Sequence, residues 1–215
     1  MKRLVLPRLY VILDAALLTV PETDCAQELA TAGVRLLQYR NKRASGRELF
    51  ETSKKLLLLL SPLGVSLVVN DRPDVAAVAG ANGVHVGQED LGVEEVRRVV
   101  GAEKLVGVST HNLEQFERAA ASSVDYIAVG PIFTTGTKSN LDPVVGTQFI
   151  REVRPLTDKP IVAIGGITLQ RAPEIIESGA DSVAVISDIL RAPEPAARAR
   201  QYIDLLGPAS HAAST

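Results

Sequence analysis

Where apolar, β-branched runs of this chain stop, polar side chains follow, and their types suit two chemistries. The first is anion binding. Gln38, Arg40 and Lys42 alternate with Tyr39 and Asn41, so on an extended strand the three share one side. An amide, a planar guanidinium fork and an ammonium point charge suit a phosphorylated ligand, although the same trio would also serve as a solvated strand end. The second is metal binding. Asp71, after Asn70, and Asp90 follow two successive apolar runs. Two carboxylates meeting there would hold one Mg²⁺, with water and phosphate oxygens completing its shell. The competing reading is helix capping, because Asp71 precedes Arg72-Pro73 and Asp90 precedes Leu91-Gly92.

A second anion site is expected late in the chain. Gly165-Gly166 follows one apolar run and Ile186-Ser187 ends the next. In a barrel enzyme the loops after strands seven and eight often bind phosphate at the start of a short extra helix, here Ser187 to Leu190. The segment Thr134 to Asn140 holds Thr134, Thr135, Gly136, Thr137 and Lys138. It reads as a lid bringing Lys138 to a phosphate, or as a solvated loop. His85 lies inside an apolar run and reads as a packed core histidine. His111 either faces the site or caps a helix, and the sequence leaves both open. Zinc-spaced Cys/His clusters, nucleophile triads, a Walker loop and a dinucleotide fingerprint are missing from the sequence.

Elements able to place these groups follow from the pattern. Eight strand candidates alternate with helical stretches: 9–13, 34–39, 65–69, 83–86, 105–108, 126–129, 161–164 and 182–186. Most are continuous Val/Ile/Leu runs, as expected of strands buried on both faces of a parallel sheet. Ser45 three residues before Glu48 predicts a capping box opening a helix that ends near Pro62 and Gly64. Pro73 opens a short helix that stops at Gly80, and Pro173 sits in the first turn or two of a helix that stops at Gly179. The phrases Ala32-Gly33-Val34, Ala81-Asn82-Gly83-Val84 and Gly179-Ala180-Asp181-Ser182-Val183 repeat one helix-to-strand turn, and Val124-Asp125-Tyr126 is a fourth copy without glycine. A doubly wound sheet would show similar alternation. Eight units favour an α/β fold of the (β/α)₈ TIM-barrel type, a single domain over residues 1–206, with a disordered tail over 207–215.

Composition narrows the partners. The 215 residues carry 23 basic and 25 acidic side chains, a net charge of −2, with no Trp. Neither a field nor a stacking platform for nucleic acid results. The longest apolar run, Leu56 to Leu60, is too short to span a bilayer, and the basic N-terminus has too short an apolar stretch for a signal peptide. One cysteine, Cys25, fits a reducing compartment and reads as an apolar filler. A cytoplasmic enzyme is expected, and homo-oligomerisation is left open.

At these residues the chain resembles the thiamine phosphate synthase family, from about Leu9 to Ile189. The motifs are QYRNK at 38–42, ND at 70–71, GVHVGQED at 83–90, GVST at 107–110, GPIFTTGTK at 130–138, IGGI at 164–167 and VIS at 185–187. Asn41 stands where many relatives carry a charged residue. The resemblance implies a transferase that joins an aminopyrimidine-methyl diphosphate to a thiazole phosphate, giving thiamine phosphate and diphosphate. It implies that Gln38, Tyr39, Arg40, Asn41, Lys42, Asn70, Ser109 and Lys138 hold the pyrimidine diphosphate, and that Asp71 and Asp90 bind Mg²⁺. Thr135, Gly136, Thr137, Gly166, Ile186 and Ser187 would receive the thiazole phosphate. Arg40, Lys42, Ser109 and Lys138 would act in catalysis, which is dissociative: diphosphate leaves, a ring-stabilised cation forms, and the thiazole nitrogen attacks. Rival readings are a thiazole tautomerase on the same barrel, using His111 for proton transfer, a non-catalytic sensor of a thiamine precursor, and a sugar-phosphate isomerase, which would need a carboxylate base at a strand end.

Overall fold

The computed structural model describes residues 4–136 and 143–209. Eight parallel strands pair in sequence order, and the first closes on the last: β1 Leu9–Asp14, β2 Leu36–Arg40, β3 Ser66–Asn70, β4 Gly83–Val86, β5 Leu105–Thr110, β6 Tyr126–Val129, β7 Ile161–Ile164 and β8 Ser182–Val185. The expected (β/α)₈ barrel is therefore the fold. The helices are α1 Glu22–Thr31, α2 Gly46–Leu60, α3 Pro73–Ala79, α4 Val93–Val100, α5 Leu113–Ala121, α6 Gly146–Val153, α7 Ala172–Glu177, α8 Ser187–Leu190 and α9 Pro195–Leu206.

Continuous apolar strands serve two cores at once. Tyr10, Ile12, Leu36, Val68, Tyr126, Ala128, Val162 and Ala184 pack together inside the barrel. The alternate residues, among them Val11, Leu37, Val69, Val84, Ile127 and Val183, pack outward with the helices. Alternation along each strand supplies both sets.

Helix boundaries obey the local chemistry. The Ser45 hydroxyl accepts from the Glu48 N–H while the Glu48 carboxylate accepts from the Ser45 N–H, so the capping box that opens α2 is complete. Gly64 and Gly80 sit in the left-handed region at φ 68° and 80°, as the stop signals require.

The recurring turn phrase pins the barrel floor. Asn82, Asp125 and Asp181 each precede a strand. Their side-chain oxygens accept from the N–H groups of Leu67, Val106 and Ile161 at the starts of β3, β5 and β7, at 2.9, 2.7 and 2.8 Å. Arg97 and Arg154 complete the last two by pairing with Asp125 and Asp181.

At the opposite end several strands run further than expected: β1 to Asp14, β2 to Arg40, β3 to Asn70 and β5 to Thr110. Ladder partners such as Asp14 with Arg40 and Asn70 with His85 keep these polar residues in register. Two starts shift later, from Val34 to Leu36 and from Val65 to Ser66, and β8 stops at Val185. Residues 210–215 of the expected tail, and 137–140 of the expected lid, lie outside the described residues.

Candidate active site

The polar residues singled out above gather at the C-terminal ends of the strands, the rim where barrel enzymes place their chemistry. Arg40 ends β2 on the same side as Gln38. Its guanidinium donates to the carboxylate of Asp14, which ends β1 at the paired position. Asp14 is 2% exposed, and its other oxygen accepts from the Ala16 N–H at 3.1 Å. Two hydrogen bonds thus hold the carboxylate, and the carboxylate holds Arg40. Asp14 is absent from the residues that the sequence motifs single out. The signal that could have found it is a lone carboxylate closing an otherwise apolar strand, on the Tyr10–Ile12 side.

Asp71 and Asp90 come together. Asp71 has φ 61°, the only non-glycine residue among those described to adopt that conformation, which Asp tolerates better than most. Its N–H donates to the His85 carbonyl at 2.8 Å, and its carboxylate pairs with the Lys42 ammonium at 2.6 Å. Asp90 folds back to accept from the Gly87 N–H at 2.7 Å. Its carboxyl is raised above the usual range, first by burial and then by the facing Asp71 charge, against the pull of the Gly87 N–H and Lys42. The capping alternative does not hold: the residues capping α3 and α4 are Arg72 and Gly92, neither through its side chain. Two mutually repelling carboxylates of this kind fit a divalent cation, and Lys42 occupies part of that role here.

Between these groups lies the barrel interior. Gln38 donates to Tyr10, while His85 and Ser109 are within hydrogen-bond distance of each other at 2.9 Å. His85 is buried, as expected of a core histidine, yet both ring nitrogens have side-chain partners. Gln88 reaches the Ser109 carbonyl at 2.6 Å. Tyr39 and Asn41 turn away from this group. The Tyr39 hydroxyl donates to Glu22 on α1, and the Asn41 side chain contacts Tyr39 and the N–H groups of Arg43 and Ala44. Any contact they make with a ligand at the rim would come through their backbone.

The late glycines have a packing reason of their own. Ile132 and Phe133 donate through their N–H groups to the carbonyls of Ile164 and Gly165, at 2.9 and 3.0 Å. A Cβ on Gly165 would lie 2.6 Å from Pro131 Cα, and one on Gly166 2.5 Å from the Thr134 carbonyl oxygen. Arg171 stacks 4.3 Å from the Phe133 ring and donates to the Gly166 carbonyl at 3.0 Å. Next to this double turn stands the expected short helix, α8, beginning at Ser187 with Ile186 as its capping residue. Asp188 ties it down by accepting from Tyr202 and the Leu169 N–H. Thr135 and Gly136 lie on the adjoining loop, and Thr137 and Lys138 fall outside the described residues.

His111 is not the helix cap, which is Asn112. One ring nitrogen instead lies 2.5 Å from the Gly130 carbonyl at the end of β6. Cys25 is 3% exposed on α1, packed in the apolar core between strands and helices, and burial with the Glu28 charge pushes its thiol up to about 11.

Comparison with known proteins agrees with this geometry. The family model described as thiamine monophosphate synthase matches residues 9–189. A thiamine-phosphate synthase of Koribacter versatilis is 51% identical over 208 residues, covering 94% of this chain and 96% of that protein. One from Chloroflexus aurantiacus is 43% identical over 195 residues, covering 90% of each. Among solved structures, a thiamine phosphate pyrophosphorylase from Pyrococcus furiosus superimposes with a TM-score of 0.84 at 31% identity, covering 93% of this chain and 97% of that one. With its barrel, its rim motifs and these relatives in agreement, the chain belongs to the thiamine monophosphate synthase family.

Proposed function

We propose that this chain joins an aminopyrimidine-methyl diphosphate to a thiazole phosphate, yielding thiamine phosphate and diphosphate. The observation that carries the reading is the convergence of Asp71, Asp90 and Lys42 beside the Asp14-anchored Arg40. Such a cluster suits a diphosphate and a metal, and the relatives are named for this activity. Neither a tautomerase nor a sensor draws support from them, and a proton shuttle has no use for paired carboxylates with two cations.

Asp71 and Asp90 would hold Mg²⁺, which when bound neutralises diphosphate charge and makes it a better leaving group. Arg40 and Lys42 bind the diphosphate and stabilise its charge as it departs. Asp14 keeps the Arg40 fork fixed, so little order has to be created on binding. Gln38, Asn70 and Ser109 hold the pyrimidine. Backbone at Tyr39 and Asn41 completes that side, and Lys138 adds a further cation. Gly166, Ile186 and Ser187, with Thr135, Gly136 and Thr137, receive the thiazole phosphate. The C–O bond to diphosphate breaks first, the electron-rich ring carries the resulting positive charge, and the thiazole nitrogen then forms the new C–N bond. No protein nucleophile is required. What the barrel supplies is charge stabilisation and alignment of the two rings.

The barrel over residues 1–206 is proposed to act as one catalytic domain with 207–215 as a tail, in the cytoplasm. Among the described residues no helix is long and apolar enough to cross a membrane. The test is direct: purified protein with both substrates and Mg²⁺ yields a mass corresponding to thiamine phosphate. Absence of that product, with both substrates verified on a working relative, sinks the proposal.

A further inference from the structure

Five buried polar side chains form one unbroken line through the barrel interior. Gln38 Nε2 lies 2.9 Å from Tyr10 Oη, which lies 3.0 Å from Tyr126 Oη. Tyr126 Oη is 3.0 Å from His85 Nδ1, and His85 Nε2 is 2.9 Å from Ser109 Oγ. Gly107 makes room for the line: a Cβ there would sit 2.0 Å from the Tyr126 ring.

The direction of every bond follows from the inventory of donors. The Gln38 amide nitrogen only donates, so Tyr10 Oη accepts from it. Among the described residues Tyr10 Oη has one other hydrogen-bond partner, Tyr126, and its own proton must go there, because a stranded buried hydroxyl proton is costly. Tyr126 already accepts from Tyr10, so its proton goes to His85 Nδ1. That nitrogen is therefore bare, and the imidazole proton sits on Nε2, aimed at Ser109 Oγ. Burial raises both phenols well above the usual tyrosine range, so they remain donors. The result is a head-to-tail chain from Gln38 to Ser109. Its two ends have fixed polarity: the Gln38 amide oxygen is an oriented acceptor, and the Ser109 hydroxyl, already accepting from His85, has its proton left to donate.

We propose that Tyr10, Tyr126 and His85 are positioning residues that lock His85 in the Nε2–H tautomer and so make the site present an acceptor at Gln38 and a donor at Ser109. A ring bearing an exocyclic N–H donor and a ring-nitrogen acceptor, the aminopyrimidine pattern, is what such a pair recognises. This assignment of the ligand rests on the function proposed above. The tautomer does not.

Long-range ¹H–¹⁵N spectra of the histidine-labelled full chain, recorded without substrate, read the tautomer directly, with His85 identified by loss of its signals in His85→Gln. The expected result is a bare Nδ1 and a protonated Nε2. A protonated Nδ1, meaning that the chain runs the other way, overturns the proposal. Tyr126→Phe keeps the ring but removes the proton given to Nδ1, and a tautomer mixture is expected. A spectrum unchanged from wild type refutes the relay. In turnover, Tyr126→Phe should raise KM for the pyrimidine diphosphate about tenfold while leaving KM for the thiazole phosphate within about twofold, the size of one hydrogen bond. Equal changes in both constants indicate a merely structural role and count against it. Should Tyr126→Phe fail to fold, Tyr10→Phe makes the same test. It frees Tyr126 to accept from His85, and the same tautomer mixture is expected. Because the spectrum needs no turnover, it separates failure of the relay from failure of the proposed function.

Discussion

The Asp14 carboxylate, at the end of β1, is ion-paired with the Arg40 guanidinium at the ladder position facing it on β2. The pair is nearly enclosed, with Asp14 3% and Arg40 16% exposed at the side chain. Arg40 is therefore held as a fixed fork, with its charge partly compensated from behind. Asp14→Asn should keep the Ala16 contact but release Arg40, lowering stability by about 1–3 kcal/mol after allowing for the exposure of the arginine. It should raise KM for the diphosphate substrate about 10- to 100-fold. Urea melts and steady-state kinetics check both. Wild-type values in each would mean the pair is incidental.

Turnover should depend on a divalent metal. Exhaustive EDTA treatment is expected to abolish it, and added Mg²⁺ to restore it. Asp71→Ala and Asp90→Ala should each cut kcat/KM by about 100-fold or more, the range for loss of a metal contact or its support. Calorimetric binding of the thiazole phosphate should survive in both, because the proposed role of the carboxylates is toward the other substrate. Activity that persists without metal would falsify the assignment.

Gly166 and Gly64 share a left-handed backbone, at φ 62° and 68°, but differ in surroundings. An added Cβ at Gly64 meets nothing within 4 Å, whereas at Gly166 it would strike the Thr134 carbonyl. Gly64→Ala should cost about 1 kcal/mol, for conformation alone. Gly166→Ala should cost about 1–3 kcal/mol more, because backbone must move, and KM for the thiazole phosphate should rise. Equal melting midpoints for the two variants would contradict the close approach.

Cys25 offers a pH test. Burial first, and the Glu28 charge second, push its thiol up to about 11. Between the unfolded value of about 8.5 and that figure, only the unfolded chain releases the proton. The unfolded state then binds fewer protons, so stability falls as pH rises through this window and is unaffected below it. Cys25→Ala should flatten that part of the curve. At pH 8 a thiol reagent should modify the native protein at least about 100-fold more slowly than the unfolded chain. Comparable rates would show that the thiol is accessible.

Lys138 is outside the described residues, so its expected role rests on the Thr-rich, glycine-containing segment around it. Lys138→Ala should lower kcat by roughly 30- to 1,000-fold with a smaller change in KM, as for a contact strongest in the transition state. A rise in KM at unchanged kcat would make Lys138 a binding residue instead.

Much of this protein is legible in the order of its amino acids alone. Continuous Val/Ile/Leu runs predict strands buried on both faces, and Pro, Gly and capping-box signals bound the helices between them. Those signals act over a few residues, where backbone sterics and local hydrogen bonds decide, and Ser45–Glu48 and Gly80 behave as such rules require. The rim is legible for a related reason. In a closed parallel barrel every strand ends on the same face, so polar residues that follow apolar runs are gathered there together. Pairings across the barrel are not legible. No local rule states that Asp14 meets Arg40, that Tyr10 meets Tyr126 across 116 positions, or that His85 links Tyr126 to Ser109. Gly166 can be marked as a turn glycine, but only the approach of Thr134 shows what a side chain there would strike. Tyr39 and Asn41 lie in the same motif as Arg40, yet strand alternation sends Tyr39 toward α1, and the Asn41 side chain turns to Tyr39 and its own loop. Local order follows from neighbours along the chain; register, closure and the direction of buried hydrogen bonds depend on contacts between distant residues, which exist only once the barrel has closed.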